Sequence, residues 1–161
     1  MTEVLIDGVR YVPETEVKDV PPLVPPSFRW SQRSLNRMKG VHEDLVRVLN
    51  RAISISPVDM IVLEGLRTKE RQRQLVAQGK SWTMRSRHLT GHAVDVAPYF
   101  DQDKDGDIDG DDLWHWPSYH KIAEVIKKAA ALEGVQIEWG GDWKEQQDGP
   151  HWQLPWDIYP A

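Results

Sequence analysis

Two stretches far apart in the chain hold the residues best suited to chemistry: Ser86-Arg87-His88-Leu89-Thr90-Gly91-His92-Ala93-Val94-Asp95 and Asp148-Gly149-Pro150-His151. His88, Asp95 and His151 offer two imidazole nitrogens and one carboxylate oxygen, a donor set that suits zinc. Three protein ligands leave a fourth tetrahedral position for water, which distinguishes a catalytic zinc from a structural one. Zinc lowers the pKa of such a water from ~15.7 to about 7. Asp148, three residues before His151, is placed to act as its base. The chain has no cysteine, so a transition metal must be held by His, Asp or Glu, and disulfides are excluded.

These residues must be brought together by the elements around them. Alternate side chains on a strand share a face. If Ala93 to Ala97 is a strand, Asp95 points away from Val94 and Val96, which enter the core. If His151 to Leu154 is a strand, His151 points away from Trp152 and Leu154. A sheet then presents Asp95 and His151 on one face, with His88 arriving from the preceding loop and Gly91 allowing that loop to turn. His92 reads as a supporting or structural residue, and His42, His115 and His120 carry no assigned role.

The other elements follow from periodicity and punctuation. Val41, Leu45, Val48, Leu49 and Ala52 recur at helical spacing. Met60-Ile61-Val62-Leu63 reads as a buried strand. Thr68 caps a helix running to Gln78, ended by Gly79. Pro117 opens a helix whose stripe is Tyr119, Ile122, Ala123, Ile126 and Ala130, closed by Gly134. Gln136 to Trp139 reads as a further strand. The fold class is α+β, with packed helices and a small, mostly antiparallel sheet carrying the zinc site. At the N-terminus, Val4 to Val12 reads as a hairpin around Asp7-Gly8, followed by a linker with Pro21, Pro22, Pro25 and Pro26. This divides the chain into an appendage over 1–27 and a main domain over 28–161.

Composition narrows the classes. The 161 residues, 40% of them apolar, suit one soluble domain. No apolar run approaches the ~20 residues of a membrane helix, and no signal peptide is evident, which points to a cytoplasmic product. No heptad or long apolar edge suggests tight oligomers, so a monomer is expected. The net charge of -5 conceals two segments: residues 101–112 hold seven Asp and one Lys, and residues 67–87 hold seven Lys or Arg and one Glu. The basic segment reads as a solvated helix face, or as an attraction to an anionic polymer such as a bacterial cell wall. Nucleic-acid binding is not expected, since the balance is acidic and no binding motif is present. Of the eight tryptophans, most are expected in the core, with one or two lining a groove.

The acidic segment is itself a second metal loop. Asp101, Asp103, Asp105 and Asp109 occupy positions 1, 3, 5 and 9 of an EF-hand calcium loop, with Gly106 at the turn and the Asp107 carbonyl at position 7. Asp112 stands at position 12, where Glu is usual, and its shorter side chain weakens or halves that contact. A strand, not a helix, precedes the loop. It is therefore an EF-like calcium insertion at 101–112, starting six residues after Asp95, and calcium is expected to support or switch the zinc site.

The pattern Ser-x-His-x-x-Gly-x-Ala-x-Asp followed by an acid-x-x-His resembles the zinc peptidases of the D-alanyl-D-alanine carboxypeptidase (VanY-like) type, a family that includes phage endolysins cutting the L-alanyl-D-glutamate bond. Gly65-Leu66-Arg67-Thr68, Glu138-Trp139-Gly140-Gly141-Asp142-Trp143 and the stretch from Asp148 to Leu154 are most similar to the endolysin branch, and residues 31–156 carry the resemblance. It implies that His88, Asp95 and His151 are zinc ligands, that Asp148 is the general base in place of the commoner Glu, that Arg67 faces the substrate, and that Ser86 orients the site. It further implies peptidoglycan as substrate, with release from the host cytoplasm to the wall. Two readings stay open beside the endopeptidase: a D,D-carboxypeptidase releasing terminal D-Ala, and a non-catalytic, metal-stabilised wall-binding module.

Overall fold

A computed structural model describes residues 4–6, 9–11, 28–101 and 103–160. Near the N-terminus, β1 (Val4–Ile6) pairs antiparallel with β2 (Val9–Tyr11), Val4 opposite Tyr11. The Asp7-Gly8 turn and the proline linker expected there lie outside the described residues. The remaining elements are α1 (Gln32–Arg37), α2 (Glu43–Ile55), β3 (Met60–Glu64), α3 (Lys69–Ala77), a 3-10 turn (Arg87–Thr90), β4 (Ala93–Pro98), α4 (Gly110–Leu113), α5 (Trp116–Glu133), β5 (Glu138–Trp139), a second 3-10 turn (Gly140–Asp142) and β6 (His151–Gln153).

The main sheet has the order β3-β4-β6-β5, every neighbour antiparallel. The architecture is therefore α+β with a four-stranded antiparallel sheet. Strand β5 is shorter than the pattern from Gln136 predicts, because only Glu138 and Trp139 find partners on β6. The expected apolar stripes are buried. Leu45, Val48, Leu49 and Ala52 of α2 join Tyr119, Ile122, Ala123, Ile126 and Ala130 of α5 in one core with Val62, Val94, Val96, Trp152 and Leu154. Fully burying each Leu or Ile contributes ~1.5–3 kcal/mol, so this helix pair fixes one face of the sheet firmly.

The helix ends are sealed as the residue types dictate. Thr68 accepts from the Arg71 N–H at the start of α3, and the His42 Nδ1 accepts from the Asp44 N–H at the start of α2, each satisfying a donor that an unextended helix leaves orphaned. His115 precedes α5 with its ring 2.8 Å from the Ser118 hydroxyl. Gly134 ends α5 in the left-handed region at φ 68°, where a missing Cβ removes the steric penalty.

Two irregularities serve the open face. Between Val62 and Glu64 the β3–β4 register shifts, so that Glu64 comes opposite Asp95. Such a bulge re-aims a side chain beside a site. Gly91 closes the 3-10 turn at φ 76°, where an added Cβ would collide with the Gly40 carbonyl oxygen, and its own carbonyl accepts from the His42 N–H at 2.8 Å. Gly91→Ala is expected to destabilise the fold by about 2 kcal/mol or more, since positive φ in a non-glycine residue alone costs of order 1–3 kcal/mol. A lowered urea midpoint at unchanged slope is the expected reading; an unshifted midpoint would show that the turn relaxes freely.

Candidate metal centre

Strand β4 places Val94 opposite Trp152 and Asp95 opposite His151. The first pair enters the core, so the second shares the other face. His88 comes from the 3-10 turn, whose first N–H groups are capped by Ser86: its hydroxyl accepts from the His88 N–H at 3.2 Å. Asp95 Oδ1 lies 3.1 Å from His88 Nε2 and 3.3 Å from His151 Nδ1, and donor atoms of all three residues fall within 4.8 Å of one another. The expected trio is together.

The far side of each ring is committed. His88 Nδ1 lies 2.8 Å from the Gly65 carbonyl oxygen, which only accepts, so that nitrogen carries the proton. His151 Nε2 lies 2.8 Å from Gln153 Oε1 and likewise donates. In neutral rings the lone pairs of His88 Nε2 and His151 Nδ1 then both face the Asp95 carboxylate. Three acceptors pointing at one another repel unless a cation or a proton joins them. Ligating histidines whose outer N–H is held by a carbonyl have the orientation a metal requires.

The electrostatics express the same crowding. Burial pushes the Asp95 carboxyl up, but His151 and His88, which donate to it when their rings are protonated, outweigh it and hold it well below the ordinary carboxylate range. Burial pushes the His151 imidazole down, yet Asp95 and Gln153 leave it raised. Asp148 is raised by burial and by the neighbouring Asp95 charge, against the pull of His151, His88 and Arg67.

Asp148 lines the same groove as the trio. Its N–H donates to the Gly140 carbonyl at 3.0 Å, and its own carbonyl accepts from the His151 N–H at 3.2 Å. A Cβ at Gly140 would strike the Asp148 carbonyl oxygen, so the close approach of these two segments requires glycine there. Arg67 also lines the groove, but its guanidinium is engaged: Nε and Nη2 reach Glu64 Oε1, and Nη1 donates to Gln72 Oε1 at 2.8 Å. The Arg67 N–H also donates to the His88 carbonyl at 2.9 Å, which ties this loop to the metal-facing turn.

Further along the groove, Trp82, Arg85, Trp143 and Trp156 form its wall. Trp143 leans on His151 with ring centroids 5.1 Å apart, and Arg85 lies over the Trp156 ring at 5.3 Å. Trp139 and Trp152 instead stack at 5.7 Å in the core. Only part of the basic segment faces the groove, namely Arg67, Lys80, Arg85 and Arg87. His92 stands apart from the trio, with Nδ1 2.7 Å from the Thr90 hydroxyl.

In the acidic loop, carboxylate oxygens of Asp101, Asp103, Asp105 and Asp112 fall within 4.8 Å of one another. Asp107 and Asp109 are outside that group: the Asp107 N–H donates to Asp105 and the Asp109 N–H to Asp112. Gly106 takes φ 91° at the turn. The side-chain hydrogen bond with Asp101, then burial, raises the Asp103 carboxyl to about 6, the direction expected where like charges meet.

Three further residues bear on the site, Gln72 outside any motif and Glu138 and Gln153 within stretches that carry the resemblance but without an assigned role. Gln72 is fully buried and its amide binds Arg67, Ser81 and the Thr83 carbonyl. Gln153 and Glu138 stand behind His151. For Gln153 a signal was present, since it is two residues beyond His151 on the same strand face. For Gln72, a polar residue on an exposed-looking helix, none was.

A family model described as phage L-alanyl-D-glutamate peptidase matches residues 26–153. The L-alanyl-D-glutamate peptidase of Escherichia phage T5 is 30% identical over 125 residues, covering 76% of this chain and 86% of that one. The L-alanyl-D-glutamate peptidase of Listeria phage A118 is 36% identical over 104 residues, covering 63% of this chain and 32% of that protein. Among solved structures, the L-Ala D-Glu endopeptidase ChiX of Serratia marcescens superposes with a TM-score of 0.73 at 45% identity, covering 83% of this chain and 95% of that chain. The chain belongs to the phage L-alanyl-D-glutamate peptidase family.

Proposed function

We propose that this protein is a zinc endopeptidase that hydrolyses the bond between L-alanine and D-glutamate in the peptidoglycan stem peptide, as a phage-type lysis enzyme. The observation that carries the reading is the convergence of His88 Nε2, Asp95 Oδ1 and His151 Nδ1 with the outer N–H of each ring already spent. Two imidazoles and a carboxylate fit zinc, and borderline nitrogen and oxygen donors suit it better than calcium or magnesium. Zinc held there supplies a Lewis acid for the scissile carbonyl and a water that ionises near neutrality.

The chain's own residues do the rest. Asp148, held at the groove by Gly140, takes the proton of the attacking water and later returns it to the leaving amine of D-glutamate. His151, His88 and Arg67 pull Asp148 toward its ionised form, against burial and the Asp95 charge. Arg67 steadies the carbonyl oxygen as negative charge develops. Its charge is already answered by Glu64, which suits a peptide oxygen better than capture of a free terminal carboxylate and so favours the endopeptidase over a D,D-carboxypeptidase. A wall-binding module has no use for a half-buried carboxylate base in the same groove as the metal ligands. The catalytic domain is 28–161, working as a monomer on the wall after release from the host cytoplasm, and 1–27 is an appendage.

Calcium at the 101–112 loop is part of the same proposal. Asp101, Asp103, Asp105 and Asp112 supply side-chain oxygens, with Asp107 through its carbonyl and Asp109 through water, as in EF-hand loops. The loop has a route to the groove. Its C-terminal end reaches Leu113, whose carbonyl accepts from the Tyr119 hydroxyl at 2.5 Å, and the Tyr119 ring lies where a Cβ on Gly149, the neighbour of Asp148, would meet it at 3.4 Å.

Purified peptidoglycan digested with zinc-loaded protein is expected to yield new L-Ala carboxyl ends and D-Glu amino ends by mass spectrometry. Asp148→Ala is expected to lower that rate by roughly 10²–10⁴-fold, the usual worth of a general base, while zinc stays bound. Free D-Ala would move the assignment to the carboxypeptidase, and no products with zinc tightly bound would favour the binding module. In zinc-buffered solution, chelating calcium is expected to lower activity severalfold, with Asp101→Asn/Asp103→Asn behaving like the chelated enzyme. Equal activity with and without calcium would remove the loop from the mechanism.

A further inference from the structure

Behind His151 runs a short polar chain that the catalytic reading does not use. Glu138 and Gln153 are direct cross-strand partners on β5 and β6, and Gln153 shares the face of His151 two residues away. Gln153 Nε2 donates to Glu138 Oε2 at 3.0 Å, and Gln153 Oε1 lies 2.8 Å from His151 Nε2. Gln153 is almost wholly buried, at 7% exposure, as is His151, so water is a poor substitute for either bond.

A glutamine amide can present its oxygen or its NH2 group to a neighbour, and the two choices demand opposite tautomers of the ring it faces. A carboxylate only accepts. Glu138 therefore claims the NH2 group and turns the amide oxygen toward His151, which must then hold its proton on Nε2. The opposite pull comes from Asp95, whose Oδ1 is 3.3 Å from His151 Nδ1 and would draw the proton to that nitrogen. A proton there occupies the lone pair a metal needs. We infer that Glu138 and Gln153 are positioning residues that hold His151 in the Nε2–H tautomer and keep Nδ1 open for the metal against Asp95.

The inference rests on the zinc reading for its consequence, but not for its chemistry, since the tautomer exists without a metal. Removing Glu138 frees the Gln153 amide to flip. Its NH2 group then faces Nε2, the proton moves to Nδ1 beside Asp95, and metal binding must first reverse that exchange. Outer partners of metal-bound histidines are typically worth 10–100-fold in affinity.

The test combines ring-nitrogen NMR on metal-free protein, above the pH at which His151 is protonated, with zinc affinity by competition against a chromogenic chelator. Wild type is expected to show His151 protonated on Nε2, and Glu138→Ala on Nδ1, with zinc bound about 10–100-fold more weakly. Glu138→Gln keeps an acceptor oxygen but can also turn its NH2 group toward Gln153, so it is expected to weaken zinc less than Glu138→Ala does and to show both His151 tautomers. Gln153→Leu is expected to weaken zinc as Glu138→Ala does, and adding Glu138→Ala to it should change nothing further, since the second residue acts only through the first. Additive losses, or a Glu138→Ala protein with unchanged tautomer and affinity, would overturn the inference. If Glu138→Ala fails to fold, Gln153→Leu and Glu138→Gln decide it by the same two readouts. Wild type that binds no stoichiometric zinc would sink the zinc reading, while the tautomer spectra still judge Glu138 and Gln153.

Discussion

The register between β4 and β6 is the constraint on which the rest of the structure depends. It sets Asp95 opposite His151 and Val94 opposite Trp152. A slip of one residue would exchange the two faces, putting a carboxylate and an imidazole into the apolar core and a tryptophan into the groove. The core makes that slip expensive. Trp152 is completely buried and stacked on Trp139 at 5.7 Å, while the Trp139 indole N–H donates to the Gly149 carbonyl at 2.7 Å. The packing that holds the sheet thus also holds the segment between Asp148 and His151, so fold stability and site geometry have one origin.

Given that register, the open face becomes a problem in charge placement. Asp95 is a carboxylate with limited access to water, beside two rings whose free lone pairs face it. Burying such a group without compensation costs several kcal/mol. The compensation is divided: a proton can serve in the metal-free protein, and a cation can serve in the loaded one. The Gly65 carbonyl and the Gln153 amide oxygen bias that competition, since each accepts from an outer ring nitrogen and keeps the proton there, away from the nitrogen that faces Asp95. The bulge at Val62–Glu64 adds Glu64 to this neighbourhood, and its charge is met by Arg67, which leaves Asp148 as the second carboxylate whose charge the trio feels.

Much of this was legible in the residues, and the limits have physical causes. The helical stripes of α2 and α5 were readable because burial imposes the 3.6-residue period on apolar positions. The strands β4 and β6 were readable because a sheet with one packed face imposes a period of two, which also put Asp95 and His151 on one side. Strand β5 was overextended, since Gln136 and Ile137 have strand-like character but no partner on β6. Arg67 was read as facing the substrate, and its capture by Glu64 and Gln72 was not, because a bulge is a property of pairing between strands and leaves little trace in either alone. Gln72 was invisible for the same reason: its helix carries charges on every side, and only the return of the 81–83 loop buries it. The grouping of Asp101, Asp103, Asp105 and Asp112 followed from loop spacing, and Asp109 at position 9 lies outside that group.

The acidic loop and the metal trio are linked by more than proximity in sequence. Strand β4 carries Asp95 and runs to Pro98, three residues before Asp101, so a change in loop order acts directly on the end of a ligand-bearing strand. A second path runs through Tyr119, which is buried in the core and joined by its hydroxyl to the Leu113 carbonyl. Burial together with the charges of Asp95 and Asp148 pushes that phenol out of the range in which it could ionise at neutral pH, so it remains a fixed donor. The two paths start from opposite ends of one loop and lead to one groove, at Asp95 and beside Asp148. Crowding of carboxylates at 101–112 opposes closure of that loop, and neutralising them removes the opposition. On the proposed calcium reading, both ends are anchored in a packed core that does not deform continuously, so a cation in the loop would change how tightly the ligand strand and the Asp148 segment are held, without requiring either to move far.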